Sequence, residues 1–254
     1  MKKWFLIFVL SLGLTACNQQ DLPLEETVDF TMPPGAATMT CRVMEEEDGT
    51  LLLAQVDGGK AAVFTASCRE AEIRFEDPAR SEIEEGDLVV VGFDGDIMET
   101  YPAQLGEVQA VWVQAQGFDD TAMLCLEVFG DLAEEDAALV HEAQMIGLDL
   151  SQTALSPAEQ SAAALLLEWE TGRTVLEGTW EELAEQGYID GENLYWEEGY
   201  FLSFTEKERT DTGLTFSAQL WKSGLGALFL CDCTTTRTPN GPWSDYTVGA
   251  VAVS

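Results

Sequence analysis

The chain has 254 residues, 46% of them apolar, with 12 basic and 46 acidic side chains and a formal net charge of -34. That apolar share can build a real core, which excludes an acidic disordered tail. The excess of negative charge repels phosphate backbones, so nucleic acid is not an expected partner. The length fits one large domain or two small ones.

Lys2 and Lys3 precede an apolar run from Trp4 to Leu14, too short to span a bilayer as a mature helix. Leu14-Thr15-Ala16-Cys17 follows. This stretch resembles the lipobox of bacterial lipoproteins. The resemblance implies removal of residues 1–16 and acylation of Cys17, hence an extracytoplasmic protein anchored to the cell membrane by lipid. An ordinary signal peptide with an incidental cysteine is the alternative. Residues 17–36 hold Pro23, Pro33, Pro34 and Gly35 with four acids and no base, and read as an acidic spacer.

Residues 37–117 read as all-β. Thr38 to Met44, Leu51 to Val56, Ala61 to Ala66, Ile73 to Phe75, Leu88 to Phe93 and Val108 to Val113 are strand candidates, punctuated by Asp48-Gly49, Asp57-Gly58-Gly59 and Gly86-Asp87. Short strands at this spacing suggest a small barrel or sandwich. The stretch Gly86-Asp87-Leu88-Val89-Val90-Val91-Gly92-Phe93-Asp94-Gly95-Asp96-Ile97-Met98-Glu99-Thr100-Tyr101-Pro102-Ala103-Gln104 resembles a motif of the YobA-like family of bacterial lipoproteins. Phe93 and Thr100 stand where that pattern has Tyr and Ser. The resemblance implies a small OB-like barrel at the cell surface and no particular reaction. OB-like barrels often bind oligonucleotides or sugars. Here five bases are scattered among 17 acids, which again argues against nucleic acid.

Residues 118–254 read as an α+β domain with an antiparallel sheet, so the chain as a whole is α+β. Asp119 and Asp120 precede a helix to about Leu132, with Met123, Leu126 and Phe129 at helical spacing. A short helix is expected near Ala137 to Ala143 and a strand over Met145 to Leu150. Ser156-Pro157-Ala158-Glu159 is a capping box with proline at the first helical position, and its helix stops at Gly172. Thr179-Trp180-Glu181-Glu182 repeats the box for a short helix ending at Gly187. Tyr200 to Thr205, Leu214 to Trp221, Ala227 to Thr234 and Tyr246 to Val253 are strand candidates. The segment Trp221-Lys222-Ser223-Gly224-Leu225-Gly226-Ala227, with Gly241-Pro242-Trp243, resembles envelope proteins of low-GC Gram-positive bacteria.

No catalytic constellation stands out. His141 is the sole histidine and lacks a nucleophile elbow or comparable motif. Asp94, Asp96 and Glu99 lie close to a strand end. They could serve a carboxylate-dependent hydrolase or a cation-binding loop, although the Asp94-Gly95-Asp96 run also suits a plain turn. Cys41 and Cys68 are the most plausible disulfide among five cysteines left after Cys17. Cys231 and Cys233 lack the further ligands of a zinc site, and buried thiols are the simpler reading. Trp196, Trp221 and Trp243 are expected in the core rather than on a sugar platform. The expectation is therefore a binding or accessory module of the envelope that works on an envelope protein or a small ligand, with no catalytic centre, metal or cofactor. The alternatives are the hydrolase and the cation sensor.

Overall fold

The computed structural model describes residues 30–57 and 62–254. Cys17, the lipobox, most of the spacer and the glycine turn after Asp57 lie outside the described residues. The fold is mixed α/β and mainly β, with two mostly antiparallel sheets and few helices.

In the first sheet β1 (Ala37–Glu47) pairs antiparallel with β2 (Thr50–Gln55) and with β5 (Leu88–Phe93). β3 (Val63–Ser67) follows on one side and β8 (Val108–Val113) on the other. Three short strands complete it: β4 (Glu72–Phe75), β6 (Ile97–Met98) and β7 (Ala103–Leu105). The order is β4-β8-β5-β1-β2-β3-β7-β6, so β4 and β6 are edges and the sheet does not close on itself. The sequence signals lead one to expect a barrel. The edge strands are only four and two residues long, too short to supply a closing ladder.

Both faces of this sheet are covered, and the residues show why. Leu51 to Ala54 of β2 are all buried. Leu51 and Leu53 point into the sheet's own core with Cys41, Val43, Val89 and Val91. Leu52 and Ala54 point the other way, into a second core with Met44 and Val63. Strand side chains alternate between faces, so a strand buried on both reads as a continuous apolar run. By the same alternation the consecutive residues Val43 and Met44 of β1 enter different cores.

The second sheet has the order β10-β9-β11-β12-β13-β14. Its strands are β9 (Met145–Gln152), β10 (Thr174–Glu177), β11 (Gly199–Arg209), β12 (Gly213–Ser223), β13 (Gly226–Thr236) and β14 (Ala250–Val253). The expected antiparallel pairing holds from β11 to β14. It fails at β9, which is parallel to both β10 and β11. The cause is helix α3 (Pro157–Thr171), a crossover that brings the chain back in its original direction. The other helices are α1 (Thr121–Glu135), α2 (Ala137–Val140) and α4 (Trp180–Glu185).

Helix α3 lies between the two sheets. It packs on β1, β2 and β3 on one side and on β10 and α1 on the other. Ala162, Ala163, Ala164, Leu165, Leu166 and Leu167 are all buried, so the helix is apolar around most of its circumference. Its start is fixed as the sequence predicts. Ser156 Oγ accepts the Glu159 amide at 3.3 Å, and Glu159 Oε2 accepts the Ser156 amide at 2.7 Å. The Gly172 cap has φ 65, a left-handed backbone suited to glycine.

Glu159 has a second role. Its Oε1 receives Arg42 Nε of β1 at 3.0 Å, with side-chain exposures of 9% and 13%. Arg42 also donates to the carbonyls of Gly86 and Gly117. One carboxylate thus caps the central helix and ties it to the first sheet. Removing one partner of a buried pair strands the other charge, so Glu159→Ala is expected to cost about 3–5 kcal/mol in chemical denaturation. Ser156→Ala, which removes only a cap acceptor, is expected to cost about 1 kcal/mol. Equal losses for the two variants would show that the ion pair contributes nothing.

Candidate functional site

The predicted residues do not gather into a site. Asp94 and Asp96 are exposed between β5 and β6, and Glu99 is exposed just after β6. Asp94 Oδ1 accepts the Asp96 amide at 3.0 Å, and the Asp96 carbonyl accepts the Gly106 amide at 2.8 Å, which makes the run a turn. His141 is exposed at the end of α2. Among the described residues no group of three His, Cys, Asp or Glu side chains is placed to hold a metal ion. No helix there is long and apolar enough to cross a membrane. Trp196, Trp221 and Trp243 are buried, as core residues.

The expected Cys41–Cys68 bridge is not made; both are buried free thiols. Cys41 is registered with Gln55 at one end of β2, whereas Cys68 follows Ser67, which is registered with Thr50 at the other end. With a whole strand between them and opposite ends of it facing them, they exceed the reach of about 7 Å between Cα atoms. Burial, helped by Asp57, pushes the Cys41 thiol up to about 12, and burial, helped by Glu46, does the same for Cys68. A thiol that stays protonated is inert. Cys231, half-buried on β13, is expected to react with a maleimide before any other described cysteine; prior labelling of Cys41 or Cys68 in the native protein would contradict this placement.

One polar cluster is built into the scaffold. Trp243 Nε1 donates to Thr121 Oγ1 at 3.0 Å, and the guanidinium groups of Arg237 and Arg209 lie 4.2 and 5.6 Å from its ring centroid. Arg209 donates to Asp119 at 3.1 Å and to both oxygens of Glu206 at 2.9 Å. Burial opposes ionisation of Asp119, but Thr121, Arg209 and Arg237 overcome it and hold the carboxyl below the usual range. Most of its groups bond to one another; Arg237 Nη1 is buried without a hydrogen-bond partner, 3.5 Å from Asp119 Oδ1.

An open groove of about 980 Å³ lies beside α4. Its wall is set by local chemistry. The Thr179 capping box starts α4, and Gly187 at φ 85 turns the chain out of it. Asp190 then organises the following turn. Its carboxylate accepts the amides of Glu192 and Asn193 at 3.1 and 3.0 Å and Asn193 Nδ2 at 2.7 Å. Those donors, the Asn193 side chain first, hold the Asp190 carboxyl below its ordinary range. Asp190 and Tyr195 exchange backbone hydrogen bonds at 2.9 and 3.2 Å.

Trp196 forms the floor, fully buried, its amide donating to the Lys222 carbonyl at 3.0 Å. It seats against two glycines. A Cβ on Gly199 would lie 2.3 Å from its ring, and one on Gly147 would lie 2.9 Å from it and 2.6 Å from Leu183. Tyr188 and Tyr195 remain about 40% exposed on the walls, at 39% and 43%. The carboxylates of Glu185, Asp190, Glu192, Glu197 and Glu198 surround them, and no lysine or arginine lines the groove. The sequence carries the signal as Tyr195-Trp196-Glu197-Glu198, but only the fold shows which aromatic is floor and which is wall.

Overpacking of this kind costs about 1–3 kcal/mol. Gly147→Ala is therefore expected to lower stability by that amount and to displace Trp196, read as a change in near-ultraviolet circular dichroism. An unchanged spectrum and midpoint would contradict the packing described. No family model and no curated protein matches the chain.

Proposed function

We propose that the protein is a lipid-anchored extracytoplasmic binding module whose groove beside α4 takes organic cations. One observation carries this reading: two exposed tyrosines stand among five carboxylates with no base to neutralise them. Aromatic faces and carboxylates both attract ammonium groups, and together they favour an alkylated or primary amine over a metal ion. The anchor at Cys17, the acidic spacer and the surface location belong to the same proposal. So do the YobA-like resemblance of residues 86–104 and a derivation of the first sheet from an OB-like barrel that has opened.

The anchor is tested by fractionation. Cys17→Ala is expected to leave the membrane fraction, and a variant still membrane-bound would contradict lipidation. The groove is tested by calorimetry with tetramethylammonium and spermidine on the full chain. Both are expected to bind, with affinity that falls as salt rises. Tyr195→Ser removes one cation–π contact of about 0.5–2 kcal/mol, a loss of roughly two- to thirtyfold in affinity. Failure of both cations to bind, or binding indifferent to Tyr195→Ser, would overturn the assignment.

A further inference from the structure

A second surface lies away from that groove, where the first sheet meets the helices. Two adjoining cavities of about 410 and 390 Å³ share Glu85 and Met123. Helix α1 presents Met123 and Leu126 to the cleft, and α3 presents Leu166 and Trp169. Each pair is spaced i, i+3, so each forms a ridge along its helix, and α1 packs against α3. Two such ridges leave a furrow between them, with Met44 of β1 also lining it. Trp169 is 49% exposed at the mouth of this furrow.

The rim is acidic. Glu45, Glu46, Glu84, Glu85, Asp120 and Glu170 line the two cavities, and no base does. Burial, then Glu47 and Glu85, holds the Glu45 carboxyl above its usual range; burial, then Glu46, does the same for Glu85. Among the described residues neither Glu45 nor Glu85 has an ion-pair partner, whereas Glu84 at the same rim lies 3.4 Å from Arg80.

We propose that this cleft is the docking site for a basic amphipathic helix of a partner protein. The apolar furrow takes the partner's apolar stripe, as a third helix seats between two ridges, and the acidic rim takes its lysines or arginines. Methionine at the furrow suits such a role because its side chain adapts to the residue it meets. Charge complementarity selects this occupant. A second copy of this chain carries the same net charge of -34 and is repelled. A small cation alone would leave Trp169 and Met123 uncovered.

The test uses the full chain and a synthetic leucine–lysine helix with all leucines on one face. A scrambled peptide of the same composition and calcium chloride are the controls. Expected are a blue shift of tryptophan emission with the helix, lost in Trp169→Ala, and at least tenfold weaker binding of the scrambled peptide. Met123→Gln and Glu170→Lys, the latter at an exposed position, are each expected to weaken the helix several-fold, and Tyr195→Ser to leave it unchanged. Equal binding of both peptides would reduce the cleft to a non-specific acidic surface. Insensitivity to both Met123→Gln and Glu170→Lys would place the helix elsewhere. Calcium that reproduces the shift and blocks the peptide would make the rim a cation site. Any of these overturns the proposal, and loss through Tyr195→Ser would instead place the peptide in the groove beside α4.

Discussion

The structure depends on a helix that has sheet on two sides. From Ala158 to Leu167 α3 is mostly buried and mostly apolar, and it carries exposed charge only in its last turn, at Glu168 and Glu170. Its apolar surface is satisfied only when β1, β2 and β3 cover one side and the second sheet covers the other. Glu159 is the exception that fixes its position. A lone buried carboxylate would be costly, and this one is matched by Arg42 and by the Ser156 amide. The pair contributes orientation as much as energy, because it sets where the helix start meets β1. The furrow between α1 and α3 and the crossover that makes β9 parallel both follow from that placement.

The charge distribution follows from the same scaffold. The few cations are committed to internal contacts. Arg80 holds the buried Asp87, Arg209 and Arg237 flank Trp243, and Arg173 donates to the carbonyls of Ala143 and Val140 at the end of α2. With these four arginines committed, and only Arg69 and Arg74 exposed among the rest, carboxylates far outnumber guanidinium groups on the surface. Two of these acidic surfaces coincide with exposed aromatic or apolar side chains. That coincidence, and not acidity alone, distinguishes the groove and the cleft from a surface that is merely soluble.

Much of the fold was legible in the sequence wherever local physics decides. Leu88–Phe93 and Val108–Val113 have the expected bounds, and both capping boxes form as their spacing predicts. Long-range matters were not legible. β10 reads as a loop because Thr174–Glu177 is only four residues long and gains its pairing from β9 across a crossover. The Cys41–Cys68 pairing failed because β2, itself expected at Leu51 to Val56, sits between their strands in the sheet. The site residues were missed for a related reason. Asp94, Asp96 and Glu99 form a compact sequence cluster, yet they make a turn. Tyr188 and Tyr195 look unremarkable in sequence and come to line one groove only when Gly147, Gly199 and Trp196 build its floor.

Joined through α3, the two sheets share one core and are expected to unfold as one cooperative body. Native-state hydrogen exchange on the full chain measures this directly. Amides of β2, α3 and β12 are predicted to share a single highest opening free energy and to respond together to denaturant. If β1, β2, β5 and β8 opened and closed independently of α3 and β12, the shared core would be wrong, and with it the origin of the cleft.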